Sequence, residues 1–83
     1  IAQKTVKGRL AEILIHLETD FGRDKENNLN ISLTREELSN IVGTATESII
    51  RLLSEFRNRG LIELSGRKIK ILDKPGLKFI AGL

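Results

Sequence analysis

The feature that most constrains this chain is the run Val42-Gly43-Thr44-Ala45-Thr46-Glu47-Ser48-Ile49-Ile50-Arg51. Apolar residues at helical spacing lie on both sides of it, and Gly43 sits at the break. Glycine tolerates the left-handed backbone that ends one helix and lets the next set off at an angle. The run leaves room only for a tight turn, so the chain reads as a short helix joined to a longer one across a corner. The second helix opens with a carboxylate, Glu47, and a guanidinium, Arg51, spaced so that both lie on one helical face. A carboxylate accepts from a cytosine amino group and a guanidinium forks onto guanine, so the pair carries chemistry for reading a DNA major groove. Taken alone, the same two residues are also an ordinary surface ion pair, worth about 0.2–0.5 kcal/mol.

At 83 residues the chain is expected to be one domain, spanning 1–83. A domain of this size folds alone with little stability to spare. It has no Cys, so disulfides and cysteine-based metal sites are excluded. It opens on Ile1 and contains no Met, the mark of a piece of a longer protein. No apolar run approaches the roughly 18 residues of a membrane span, and no signal-peptide pattern opens the chain. A cytoplasmic location without a membrane partner is therefore expected. The net charge is +3, from 14 basic and 11 acidic residues, which permits phosphate binding without requiring it. Its distribution says more. From Arg51 to Lys78 the basic residues Arg51, Arg57, Arg59, Arg67, Lys68, Lys70, Lys74 and Lys78 face only Glu55, Glu63 and Asp73.

Along the chain, Val6, Leu10, Ile13, Leu14, Leu17 and Phe21 recur at spacings of three and four and predict an amphipathic helix over 3–21, stopped by Gly22. Residues 23–28 are a polar connector. Leu29, Ile31 and Leu33 alternate with Asn30 and Ser32, which predicts a short strand. Thr34-Arg35-Glu36-Glu37 is a capping box, in which Thr34 accepts from the third helical amide and Glu37 reaches back to the Thr34 amide. The helix it opens should bury Leu38, Ile41 and Val42. The next helix is expected over about 45–59, burying Ile49, Leu52, Leu53 and Phe56 and stopping at Gly60. The period then changes to two. Ile62 and Leu64, then Ile69 and Ile71, predict a hairpin turning around Ser65-Gly66-Arg67. Lys74-Pro75-Gly76 reads as a break, and 77–83 as a single helical turn or a frayed tail. The expected fold is mainly α with a small β-hairpin wing: a winged helix-turn-helix on a three-helix core, with the second helix of the corner as the reader.

These residues resemble the C-terminal DNA-binding domain of the CRP/FNR family of bacterial transcription regulators. The likeness is carried by Leu33-Thr34-Arg35-Glu36-Glu37-Leu38-Ser39-Asn40-Ile41-Val42-Gly43, by Thr46-Glu47-Ser48-Ile49-Ile50-Arg51-Leu52-Leu53, and by Leu61-Ile62-Glu63-Leu64-Ser65-Gly66-Arg67-Lys68-Ile69. Val6 to Ala11 and Leu14 look like the family's first helix of this domain. The resemblance implies an N-terminal sensor barrel and a dimerisation helix that are absent from this chain, with residues 1–5 as the segment following that helix. It implies double-stranded DNA as the partner, a homodimer on a palindromic site in the full-length protein, and contact with RNA polymerase. No cofactor is expected in this domain. An effector, whether a cyclic nucleotide or another molecule, would bind the absent barrel.

By that resemblance Arg51 donates twice to guanine O6 and N7, and Glu47 accepts from cytosine and orients Arg51. Glu47 has a second reading, because Thr44-Ala45-Thr46-Glu47 is itself a possible capping box and an acid suits the first turn of a helix. Ile50 stands where relatives commonly carry a small or polar residue. It either covers a thymine methyl or packs on the neighbouring helix. Thr46 stands at a position that helps select sequence in relatives and is a candidate for base or phosphate contact. Ala45 replaces the Ser or Thr usual there, leaving Thr44 or Thr46 to cap the helix and touch phosphate. Thr34, Arg35, Thr44, Ser48, Ser65, Arg67 and Lys68 are the candidate phosphate contacts, which set register and salt dependence.

His16 is the only histidine and has no Cys beside it, so a metal or catalytic role is not expected. Asp20, Asp24 and Glu26 read as solubilising charges. No catalytic constellation is present, and the chain is not expected to be an enzyme. The alternative to DNA reading is a winged-helix protein-interaction module, favoured by Ile50 and the modest charge.

Overall fold

The computed structural model describes residues 4–83. Gln3, at the expected start of the first helix, and most of the 1–5 segment lie outside the described residues. The first helix, α1, runs Val6–Phe21. Thr5 caps it by accepting from the Gly8 amide at 3.0 Å. Leu10, Ala11, Leu14 and Ile15 form its buried stripe. Phe21, expected in that stripe, is exposed because it sits in the last turn, past the end of the core. Gly22 terminates the helix as predicted, its amide reaching Glu18 O at 2.8 Å.

The strand expected over 29–33 does not form. Leu29 alone pairs, bridging Arg23 and donating to Ile69 O at 2.8 Å. The next amide, of Asn30, goes the other way to Gly22 O at 3.0 Å. Each side supplies a single partner, so extended pairing ends after one residue. Ile31 and Leu33 are half-buried against the core instead.

The second helix, α2, runs Arg35–Val42 behind a complete capping box: Glu37 N–H donates to Thr34 Oγ1 at 3.0 Å and Thr34 N–H to Glu37 Oε1 at 2.8 Å. It buries Leu38, Ser39 and Val42. Ile41, expected inside, is 49% exposed. The inward face runs through Ser39, which turns Ile41 to the flank. Gly43 then takes φ 84°, ψ 46°, the left-handed turn that the corner requires. The third helix, α3, covers Thr46–Asn58 and buries Ile49, Leu52, Leu53 and Phe56 as predicted.

Strands β1 (Ile62–Ser65) and β2 (Lys68–Ile71) pair antiparallel, with Ile62 opposite Ile71 and Ser65 opposite Lys68. Gly66 and Arg67 make the turn. Gly66 has φ 59° and Arg67 does not have a positive φ, the II′ pattern that matches strand twist.

The sequence reading is corrected at the C-terminus. Lys74–Ala81 form a fourth helix, α4, where a break at 74–76 and then a single helical turn or a frayed tail were expected. Asp73 Oδ1 accepts from the Gly76 amide at 2.9 Å, so Asp-Lys-Pro is a helix start with proline in the first turn. Leu77 and Ala81 are buried, and α4 packs on α1. The backbones approach so closely that a Cβ on Gly8 would lie 3.2 Å from Ile80 O. Lys74 and Arg23 both pair with Glu18, at 3.1 and 2.9 Å, fastening α4 and the connector to the end of α1. One core joins all of these elements. The winged helix-turn-helix is present, with α4 added behind it.

Candidate nucleic-acid interface

The face of α3 opposite its buried stripe carries Glu47, Ile50 and Arg51, all exposed. The exposure of Glu47 and Arg51 follows from the apolar period once Ile49, Leu52, Leu53 and Phe56 are inside, whereas Ile50 lies on the flank of that stripe. Among the described residues, Glu47 and Arg51 form no ion pair with each other or with any other group. The ordinary surface pair is therefore not made, and the guanidinium fork of Arg51 stays open. Ile50 is 50% exposed, so it does not pack fully on a neighbouring helix.

Thr46 is half-buried and turned inward. Its hydroxyl lies 3.3 Å from Ser39 Oγ, which in turn donates to Glu36 O at 2.6 Å. This hydroxyl pair ties the start of α3 to α2. Ser39 was not singled out from the sequence for any such role. Ala45 caps α3 by position without a side-chain hydrogen bond, and neither Thr44 nor Thr46 takes over that bond. Glu47 remains as the acid in the first turn.

The corner is also held from α1. Arg9 donates through Nε to Val42 O at 3.1 Å and through Nη1 to Lys4 O at 3.2 Å. It thereby satisfies a terminal carbonyl of α2 just before Gly43. The residues joined are 33 positions apart, so no local pattern could have revealed the contact.

The phosphate candidates divide. Ser65, Arg67 and Lys68 are exposed at the wing tip, and Ser48 and Thr44 are half-buried on and before α3. Lys68 approaches Glu26 of the connector at 3.8 Å. The Thr34 oxygen accepts the capping bond, which leaves its hydrogen free to donate outward. The hydrogen bond from the Thr34 backbone, with Arg67 nearby, holds the Glu37 carboxyl below its ordinary range. Arg35 does not point freely to solvent. Its Nη2 donates to Gly66 O at 3.0 Å, across 31 residues. Its Nη1 is buried without a partner, and burial pushes its pKa down.

His16 is exposed, and the described residues hold no group of three or more His, Cys, Asp or Glu able to bind a metal. No described helix is long and apolar enough to cross a membrane.

A capped helix, an αL glycine corner, an exposed charged face on the second helix and a hairpin wing together define a winged helix-turn-helix of the DNA-binding class. A family model described as Crp-like helix-turn-helix domain matches residues 8–80, and the chain belongs to that family. Its relatives include the transcriptional activator protein FnrA of Stutzerimonas stutzeri, 33% identical over 99% of this chain and 34% of that protein. They also include a CRP-like cAMP-activated global transcriptional regulator of Mycobacterium tuberculosis, 35% identical over 87% of this chain and 33% of the other. Among solved structures, a CRP/FNR-family regulator from Eubacterium rectale superposes with a TM-score of 0.84 at 31% identity, covering 96% of this chain and 35% of that one. The chain thus spans about a third of the length of the curated relatives it matches. The relatives are transcription regulators, and this domain is the kind that such regulators use to bind DNA.

Proposed function

We propose that the chain binds double-stranded DNA sequence-specifically, with α3 in the major groove and the β1–β2 wing against the phosphate backbone. The observation that carries this reading is the open face of α3, where Glu47 and Arg51 stand exposed and, among the described residues, without an ion-pair partner, beside a half-exposed Ile50, on a helix set by the Gly43 corner. Arg51 reads guanine through its two-pronged donor, Glu47 accepts from a cytosine amino group, and Ile50 covers a thymine methyl. Thr46 flanks this face and serves it chiefly by holding α3 against α2. Thr34, Thr44, Ser48, Ser65, Arg67 and Lys68 supply phosphate contacts that fix register. In a full-length protein the domain acts as a homodimer on a palindrome with half-sites one helical turn apart. It meets RNA polymerase there, under control of an effector bound to another domain of that full-length protein.

The test begins with selection of duplexes from a random library, followed by fluorescence anisotropy on the selected site. Arg51→Ala should weaken binding by about 1–3 kcal/mol and relax preference at one base position. Unchanged affinity and preference would sink the reading. The exposure of Ile41 and Ile50 favours a second reading, a surface for a protein partner. Salt separates the two, because DNA binding falls steeply with added salt and an apolar protein contact does not.

A further inference from the structure

We infer that Arg35 is a positioning residue: it holds the wing tip where Arg67 and Lys68 meet the phosphate backbone, and it is not itself a phosphate contact. The inference rests on the DNA-binding reading above and assigns the wing its internal support.

A two-stranded hairpin has little rigidity of its own. Here its base is anchored by Ile62 and Ile71, which are buried in the core. One edge is pinned by the Leu29 amide on Ile69 O at 2.8 Å. Beside the turn Lys68 only approaches Glu26, at 3.8 Å, and the hydrogen bond that reaches the turn itself comes from Arg35. Its guanidinium comes from the first position of α2 and donates to the carbonyl of Gly66, the first residue of the turn, at 3.0 Å. Nη1 is buried and has no hydrogen-bond partner, so it faces protein and not solvent. A planar guanidinium held this way links the capped start of the helix-turn-helix to the wing. The neighbouring Arg67 and Lys68 remain exposed and carry the charge that DNA meets.

The 83-residue chain is tested with a labelled mixed-sequence DNA duplex, because wing contacts to phosphate do not depend on base sequence. Affinity is measured over a range of KCl concentrations, and each phosphate contact contributes about 0.9 to the slope of log K against log salt. Arg67→Ala with Lys68→Ala should lower the slope by about 1.8, the value for two contacts. Arg35→Gln alone should lower it by a similar amount, and should change nothing further when added to the double variant. Arg35→Lys, which keeps one donor, should restore part of the loss. A drop of about 0.9 in both backgrounds would make Arg35 a phosphate contact and overturn the inference, as would no drop at all. Without DNA, NMR order parameters of the Gly66 and Arg67 amides should fall in Arg35→Gln while those of α1 stay constant. Unchanged order parameters overturn the clamp alone. A wild-type chain without salt-dependent DNA binding overturns the DNA-binding reading itself.

Discussion

Gly43 is where one residue does most for the fold. Its φ of 84° sets the angle between α2 and α3, and a Cβ placed there meets nothing within 4 Å. Substitution is therefore opposed by backbone strain and not by a clash. Gly43→Ala should destabilise the domain by about 1–2 kcal/mol, read as a lower urea midpoint at unchanged m-value. The exposure of Glu47 and Arg51 was legible beforehand, because a helix that buries Ile49, Leu52, Leu53 and Phe56 turns them outward, whereas the spacing leaves Ile50 open between the surface and the neighbouring helix. Three neighbours were not. Arg9 on Val42 O, Arg35 on Gly66 O and Ser39 beside Thr46 are contacts between elements, and nothing in the local spacing announces them.

Among the elements, α4 is the clearest case of a signal read the wrong way. Proline and glycine in succession look like a break, yet proline in the first turn needs no amide, and Asp73 supplies the cap. What makes the helix stable is the surface it covers on α1, with Leu77 fully buried there. Leu77→Ala should cost about 2–5 kcal/mol, a large part of the stability of a small domain. Thermal unfolding checks this, and the loss should appear as early exposure of α4 or as a lowered midpoint for the whole chain. The segment 29–33 is the opposite case. Its alternation is real, but a strand needs a neighbour along its length, and here pairing stops at Leu29.

At the scale of the whole molecule, ion pairs and caps link the elements, and acid should loosen them together. Burial alone would raise the Glu18 carboxyl, but the hydrogen bonds and charges of Arg23 and Lys74 outweigh it and hold the group below its ordinary value of 4.5. Glu55 is lowered by its hydrogen bond with Lys7, and Glu37 by the Thr34 backbone. A carboxylate whose folded pKa is depressed stabilises the fold fully above its unfolded pKa. That stability is lost as the pH falls through the folded value, because the unfolded chain takes up the proton first. The melting temperature should thus be level near neutrality and drop below about pH 4.5, where the unfolded carboxylates begin to titrate. Glu18→Gln should lower the neutral plateau and flatten part of the acid slope, which differential scanning calorimetry at a series of pH values would show.

What this sequence determined by itself is whatever depends on neighbours a few positions away. The two corner helices, the buried face of α3, the capping box at Thr34 and Glu37, the glycine corner and the presence of a hairpin turning near Gly66 all follow from spacing and from caps that close within one turn. The exposure of Glu47 and Arg51 follows from the same periodicity. Tertiary structure alone decided that α4 docks on α1, that Ile41 stays outside, and that Thr46 turns to Ser39. It also turned the Arg35 guanidinium to the wing. The reason is physical. Burial and hydrogen-bond partners of these groups are set by surfaces brought together from tens of residues away, and those surfaces exist only once the chain has folded.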